Sequence, residues 1–497
     1  MSTRPVLTSL AIVTGTVLGA FASGAVTESL AVPSALGTAV VVMAVITTVF
    51  TLRPVEGLTA FGIAMLLSDT VTYWTRLDLR HLDEAGIPLL IIAALVAHRR
   101  RLAPLRPGWR EAGLAVLLLA AVASSLANGV PATIWVPGLA LLAKGFAFFY
   151  LVAALRIDAG DLHRIVGVVF SISLVIALIG LVQFVDPAFA ESVLRLPSPG
   201  RQRGSIDVVG SIFTHPALFG WLTAFVSLFL YARFAVLRAW WALIVAIVLN
   251  GGTLLSGRRT PLVGVLAGLV AGAVRQVTAG RAVGRIWAVV AGAVLVLVVA
   301  SIAVLGDFYG DTLEQYGARP EVVAEVFAAD PDSEVVSNLH PRVALYVGSL
   351  AVARDHLPLG AGVGRYGSHM SREAYSPVYA AYGLDRTYGL RERNPAAVTD
   401  TFWPMILGES GILGLLGAIA FFSFLGAQLW RAAAVEGAPQ IRAFTLGAGL
   451  VFVEALVRSL VSAVFLAQPI AYFAFGAAGL SLAIERYARL ERRLERR

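Results

Sequence analysis

The long apolar blocks of this chain leave it few ways to fold. Residues 286–305 carry no charge and residues 443–465 carry only Glu454 and Arg458. A bilayer core about 30 Å thick is crossed by about 20 helical residues, so blocks of this length span it. Inside lipid every backbone N–H and C=O must find a partner within the segment or its neighbours, which selects helices. Only 14% of the residues are charged and 58% are hydrophobic, against roughly 25% charged in a soluble domain. The sequence therefore predicts an all-α integral membrane protein, a polytopic bundle of about 12–14 transmembrane helices.

Eleven spans are expected in an N-terminal bundle over residues 1–305: 6–23, 34–52, 57–73, 87–98, 112–127, 134–155, 165–185, 213–234, 240–255, 261–274 and 286–305. A long loop, 306–401, separates them from three last spans in 402–484, near 402–429, 443–465 and 470–484, and a basic tail follows at 485–497. The stretch Ala20-Phe21-Ala22 has the small-x-small form of a signal-peptidase site, and the topology downstream is the same whether or not it is cut.

Loop charge orients the bundle, because cytoplasmic loops collect Lys and Arg. With the N-terminus inside, the cytoplasmic loops carry Arg99, Arg100, Arg101, Arg106 and Arg110, then Arg156 and His163, then Arg275, Arg281 and Arg285, and the basic tail also falls inside. The expected setting is a bacterial inner membrane, with both termini cytoplasmic and the long loop extracytoplasmic. The net charge of +8 reads as anchoring on anionic membrane lipid rather than as a nucleic-acid footprint. Cysteine is absent, which excludes disulfides, catalytic thiols and thiolate metal sites.

Two arginine pairs break the charge rule: Arg201 with Arg203, and Arg258 with Arg259. Together with Arg342 they fall on the external side near the membrane, where a guanidinium fork matches a phosphate bidentately. Snorkelling and loop salt bridges are the plainer reading of each. In the long loop, residues 342–355 place apolar side chains at helical spacing, as an amphipathic helix at the interface does. Residues 395–417 form the second concentration. Asp400 lies at the mouth of a span and Glu409 nine residues on within it, with Gly411, Gly414 and Gly417 spaced for close helix contact. Asp400 can cap the following helix or act as a base, and Pro404 offers a bend between the two acids. Glu409 reads as functional or as an interhelical hydrogen-bond node. Lys144 reads as snorkelling in preference to lining an ion path.

The glycine run at residues 360–364 follows no strand, so it is not a nucleotide loop. Asp330 and Asp332 have no supporting His or Glu cluster, and no metal site or other cofactor is expected.

Read together, these motifs resemble the O-antigen ligase and polymerase superfamily of bacterial membrane glycosyltransferases. The similarity runs from Arg201 to about Leu416. It comprises the Arg/Gly stretch 200–204, the Phe213-Thr-His-Pro216 run with Ala217 where the family has Asn, Arg259-Thr-Pro, and Arg342 leading through a helix to the glycine run. Glu409-Ser-Gly-Ile-Leu-Gly414 ends it. Ligases carry a His-Asn pair nine residues before that Glu, and here Asp400-Thr401 stands in its place.

The resemblance implies a metal-independent inverting enzyme that takes its glycan from a polyprenyl diphosphate and passes it to a glycan or lipid-glycan acceptor. Asp400, Arg342 and Arg259 are the expected catalytic residues. Arg203, Arg201, Arg258, His340 and Glu409 are the expected substrate contacts. Polymerisation of lipid-linked repeat units into surface polysaccharide is the expected reaction. Ligation to a final acceptor, and flipping or transport of the same lipid-linked glycans, are the alternatives.

Overall fold

The computed structural model describes residues 32–75, 79, 82–99, 102, 107–197, 202–203, 206–278, 339–434 and 438–495. The regular elements of the described residues are helices, with one small antiparallel hairpin, β1 (Gln202–Arg203) with β2 (Ile206–Asp207). In chain order the helices are α1 (Val32–Leu52), α2 (Pro54–Thr75), α3 (Leu82–Ala97), α4 (Trp109–Ala127), α5 (Ala132–Ala154), α6 (Ala159–Val185), α7 (Pro187–Ser192), α8 (Pro216–Leu237), α9 (Trp240–Leu255) and α10 (Arg259–Thr278). Then come α11 (Pro341–Asp355), the short α12 (His369–Glu373) and α13 (Val378–Ala381), and finally α14 (Trp403–Ala432), α15 (Pro439–Ser459) and α16 (Ile470–Glu495).

Among the described residues seven helices are long and apolar enough to cross a membrane: α2, α4, α5, α6, α8, α14 and α15. Shorter apolar helices occupy Val40–Leu52 and Trp240–Leu255. The protein is a multi-pass, all-α membrane protein. Its outer faces carry the apolar side chains that lipid requires, such as Val175, Leu178 and Val185 on α6, Ile244 and Val248 on α9, and Leu416 on α14. The expected spans at 6–23 and 286–305 and the first part of the long loop lie outside the described residues.

Lipid is as apolar as leucine, so helices in a membrane are joined by close packing rather than by the hydrophobic effect. Small residues supply that closeness between α4 and α14. A Cβ on Gly113 would stand 2.7 Å from the Phe421 nitrogen, and one on Gly417 would stand 2.6 Å from the Leu117 nitrogen. Aromatic rings fill the centre. Phe465, in the bend between α15 and α16, has its ring centroid 4.3 Å from that of Phe422 and 5.4 Å from that of Phe402.

Packing also fixes which helix ends share a side. Gly264 and Gly268 of α10 lie against Glu454 and Leu450 of α15, so those helices run antiparallel. Trp403 at the start of α14 donates to Ser459 Oγ at the end of α15 (2.8 Å), and Asn128 beyond α4 donates to the Gly360 carbonyl (2.8 Å). The starts of α10, α11 and α14 and the ends of α4 and α15 therefore form one end of the bundle, where the candidate residues gather.

Several helix limits differ from the sequence reading; the helices expected from 87 and 165 begin earlier, at Leu82 and Ala159, and two differences fall among the last spans. The span expected over 443–465 stops at Ser459, because residues 460–469 turn back beneath Phe422 before α16 begins. The last helix continues to Glu495, so the basic tail is mostly helical; an i,i+4 pair between Glu485 and Arg489 supports its extension.

Candidate functional site

The residue types at the start of α11 explain its position. Pro341 sits at the first helical position, where a missing N–H costs nothing. His340 precedes it as the N-cap, with Nδ1 accepting the Arg342 backbone N–H at 3.3 Å. The apolar face predicted for 342–355 is buried through Ala344, Leu345, Gly348, Val352 and Ala353. Tyr366 donates to the Leu345 carbonyl (2.6 Å) and Tyr346 to the Leu460 carbonyl (2.7 Å), which pins this helix to the glycine loop on one side and to the α15–α16 bend on the other.

From the first turn of that helix, Arg342 Nη2 donates to Asp400 Oδ2 at 3.0 Å. The capping alternative for Asp400 does not apply: the N-cap of α14 is Phe402, and no side chain bonds to its first turn. Asp400 closes a turn through its own N–H to the Ala397 carbonyl (3.1 Å), and its side chain stays 38% exposed, within reach of a substrate. Burial, then the adjacent Arg342 charge, lower the His340 pKa below its ordinary value, with Asp400 opposing the change. A neutral imidazole thus stands beside an ion pair.

Glu409 takes a different place. Its carboxylate is buried, and Oε1 accepts the backbone N–H groups of Gly364 (2.8 Å) and Tyr366 (3.1 Å). These bonds make Glu409 a hydrogen-bond node that anchors the glycine loop. The bend in α14 lies at Gly411, not at Pro404, which occupies the first turn. Gly411 has φ 65° and ψ −164°, a backbone that an L side chain rarely adopts, and a Cβ there would stand 2.3 Å from the Pro358 carbonyl. Through this bend Ala361 N–H bonds the Gly408 carbonyl (2.8 Å) and Gly362 N–H the Glu409 carbonyl (3.0 Å). Ser124 Oγ of α4 contacts the carbonyls of both Gly360 (3.0 Å) and Glu409 (2.7 Å). The glycine run is thus a wedge between two membrane helices.

Two of the remaining arginines, Arg258 and Arg259, stand at the start of α10. Arg258 Nη2 lies 3.2 Å from His215 Nε2, and Thr214 beside it bonds Asp69 Oδ2 through both N–H (2.9 Å) and Oγ1 (2.6 Å). Arg259 opens α10 with its Nε buried. Arg203 is in β1, where only the backbone is described, and Arg201 lies outside the described residues. Asp330 and Asp332 do too. Among the described residues no group of three or more His, Cys, Asp or Glu could hold a metal.

No protein-family model and no curated protein matches this chain.

Three polar groupings escaped the sequence reading. Asp69 and Thr214 meet across 145 positions of sequence and carry no shared local pattern. Lys144 does not snorkel: its Nζ is 2.6 Å from Asp83 Oδ2, and Asp83 is fully buried. Tyr472 and Gln468 also donate to Asp83, so α3, α5 and α16 are tied together inside the bundle. Glu454 and Arg458 form a buried pair at 3.2 Å. Their i,i+4 spacing on an apolar span was the one available signal.

Proposed function

We propose that this protein is a membrane glycosyltransferase of the O-antigen ligase and polymerase type. It polymerises lipid-diphosphate-linked repeat units on the outer face of the bacterial inner membrane, with residues 306–401 extracytoplasmic and both termini inside. The observation that carries the reading is the Arg342–Asp400 contact beside His340, a cation, a partly exposed carboxylate and an imidazole at one end of a membrane bundle. The motif resemblance supplies the chemistry that such a group would serve.

An acceptor hydroxyl attacks the anomeric carbon of the donor glycan. The new C–O bond forms as the bond to the phosphate oxygen breaks, and its electron pair leaves on the polyprenyl diphosphate. Fixed guanidinium groups stabilise that growing charge without a metal, since preorganised donors in a dry site need no reorganisation. Arg342 and Arg259 fill this role. The hydroxyl proton passes to Asp400, whose exposure lets it return the proton to water. General-base help of this kind contributes about 10²- to 10⁴-fold.

The test is reconstitution of the purified chain in liposomes with a polyprenyl-diphosphate-linked repeat unit. A ladder of longer lipid-linked glycans with release of polyprenyl diphosphate is expected. Transfer to a different lipid acceptor without a ladder assigns a ligase. Movement of the donor across the bilayer with no new glycosidic bond overturns the transferase reading.

A further inference from the structure

The end of the bundle opposite Arg342 and Asp400 holds a second group of charges. Arg110 stands in the first turn of α4 and Gln428 in the last turns of α14, and Arg110 Nη1 donates to Gln428 Oε1 (2.5 Å). Arg110 Nε donates to Glu111 Oε1 at 2.9 Å, which commits that carboxylate. The guanidinium carbon lies 5.0 Å from the centre of the Phe149 ring and 5.4 Å from that of Tyr150, both on α5. Arg110 is buried.

Phe149 also meets α16. A Cβ on Gly479 would stand 3.0 Å from the Phe149 carbonyl, and one on Gly145 would stand 2.8 Å from the Phe475 ring, so α5 and α16 run parallel. Arg486 lies seven positions beyond Gly479, which is about two helical turns on and returns it to the same face. Side chains on a helix lean back toward its start, which brings Arg486 toward Arg110. Burial, then the Arg110 charge, lower the Arg486 pKa, with Glu485 opposing them. Arg486 Nη1 is buried without a hydrogen-bond partner. The adjacent Glu485 is bonded to Arg489, one turn further on. A guanidinium held beside a second cation, with a buried N–H unmet, calls for an anion.

Depth in the membrane selects the anion. Trp109 is exposed and stacks on Phe424 (centroids 6.4 Å apart), and Trp240 and Trp241 are exposed at the start of α9, whose other end leads to Arg259. Exposed tryptophans of multi-pass proteins collect at the level of the lipid headgroups. Trp109 adjoins Arg110, so the two arginines stand at headgroup depth, where phosphate is the abundant anion and matches the guanidinium fork. The geometry points to Arg486, backed by Arg110, as a binding site for the phosphate of an anionic phospholipid, in the inner leaflet for the orientation proposed above. The site lies apart from the transferase chemistry and does not rest on it.

The test uses the full-length chain, purified and delipidated in a neutral detergent. Phosphatidylglycerol is the probe, with phosphatidylcholine and inorganic phosphate for comparison; native mass spectrometry reads bound lipid and thermal unfolding reads stability. Arg486→Gln removes the charge and keeps a polar side chain of similar reach, and Arg431→Gln removes an exposed charge at the same end of the bundle. Phosphatidylglycerol is expected to bind in preference to phosphatidylcholine and to raise the unfolding temperature of the wild type. Its affinity should fall about tenfold in Arg486→Gln, the scale of one charge-assisted hydrogen bond, and stay unchanged in Arg431→Gln. Without added lipid, Arg486→Gln should be at least as stable as the wild type, because it removes an uncompensated charge. A clear loss of stability there makes Arg486 a structural residue and overturns the site, as do equal affinity losses in both variants or a wild type with no preference for phosphatidylglycerol. Inorganic phosphate that stabilises as well as phosphatidylglycerol, through the same arginine, assigns a soluble anion and overturns the lipid.

Discussion

Arg342 and Asp400 are 58 residues apart in sequence and 3.0 Å apart in space. The contact joins the first turn of one helix to the turn three residues before another. Asp400 caps nothing, so changing it tests chemistry with little effect on the helix. Asp400→Asn keeps the size and one acceptor for Arg342 but cannot take a proton, and polymer formation should fall by about 10²-fold or more. Arg342→Lys keeps the charge and loses the fork, so activity should also drop markedly while the protein still reaches the membrane. Polymer length and amount, normalised to membrane protein level, report both. Wild-type polymer from Asp400→Asn would remove that residue from the mechanism.

Glu409 holds the glycine loop through two backbone bonds, and a stability measurement tests that anchor. Glu409→Gln retains an Oε1 acceptor for the Gly364 and Tyr366 N–H groups, whereas Glu409→Ala orphans both. Each buried donor left unpaired costs about 1–3 kcal/mol. Thermal unfolding in detergent should therefore rank wild type and Gln well above Ala. An Ala variant as stable as wild type would show that the glycine loop does not need this anchor.

The Lys144–Asp83 pair should behave as a buried ion pair. Removing one partner, by Lys144→Met or Asp83→Asn, leaves the other uncompensated and typically costs about 3–5 kcal/mol. The double variant should recover much of that loss. A double-mutant cycle on unfolding midpoints measures the coupling, and strict additivity would mean that the two side chains do not stabilise one another.

Sidedness follows from the loop charges and has its own test. Reporter fusions after Arg110, Arg281 and Arg497 should read cytoplasmic, and fusions within residues 330–338 should read external. An external signal at Arg110 or Arg281 would reverse the assigned orientation and place the Arg342–Asp400 end on the wrong face for an outer-leaflet substrate.

The sequence by itself determined the class of the protein and the position of most of its helices. Transmembrane length is a local property, set by how many consecutive residues tolerate hydrocarbon, and the expected span at 240–255 coincides with Trp240–Leu255. The helix over 342–355 was legible for the same reason, since its apolar period lies within the segment. What only the tertiary structure decided is which polar side chains meet. Lys144 looks isolated in its own helix, and its partner Asp83 comes from another element; hydropathy carries no information about that pairing. The bend in α14 has the same origin. Gly411 takes positive φ where the Pro358 backbone presses against it, so the helix bends where a distant loop arrives and not where its own proline stands. In lipid, apolar surface decides that a segment is a helix, but it does not distinguish one neighbour from another. Close packing and the pairing of the few buried polar groups make that choice, and both are properties of the assembled bundle.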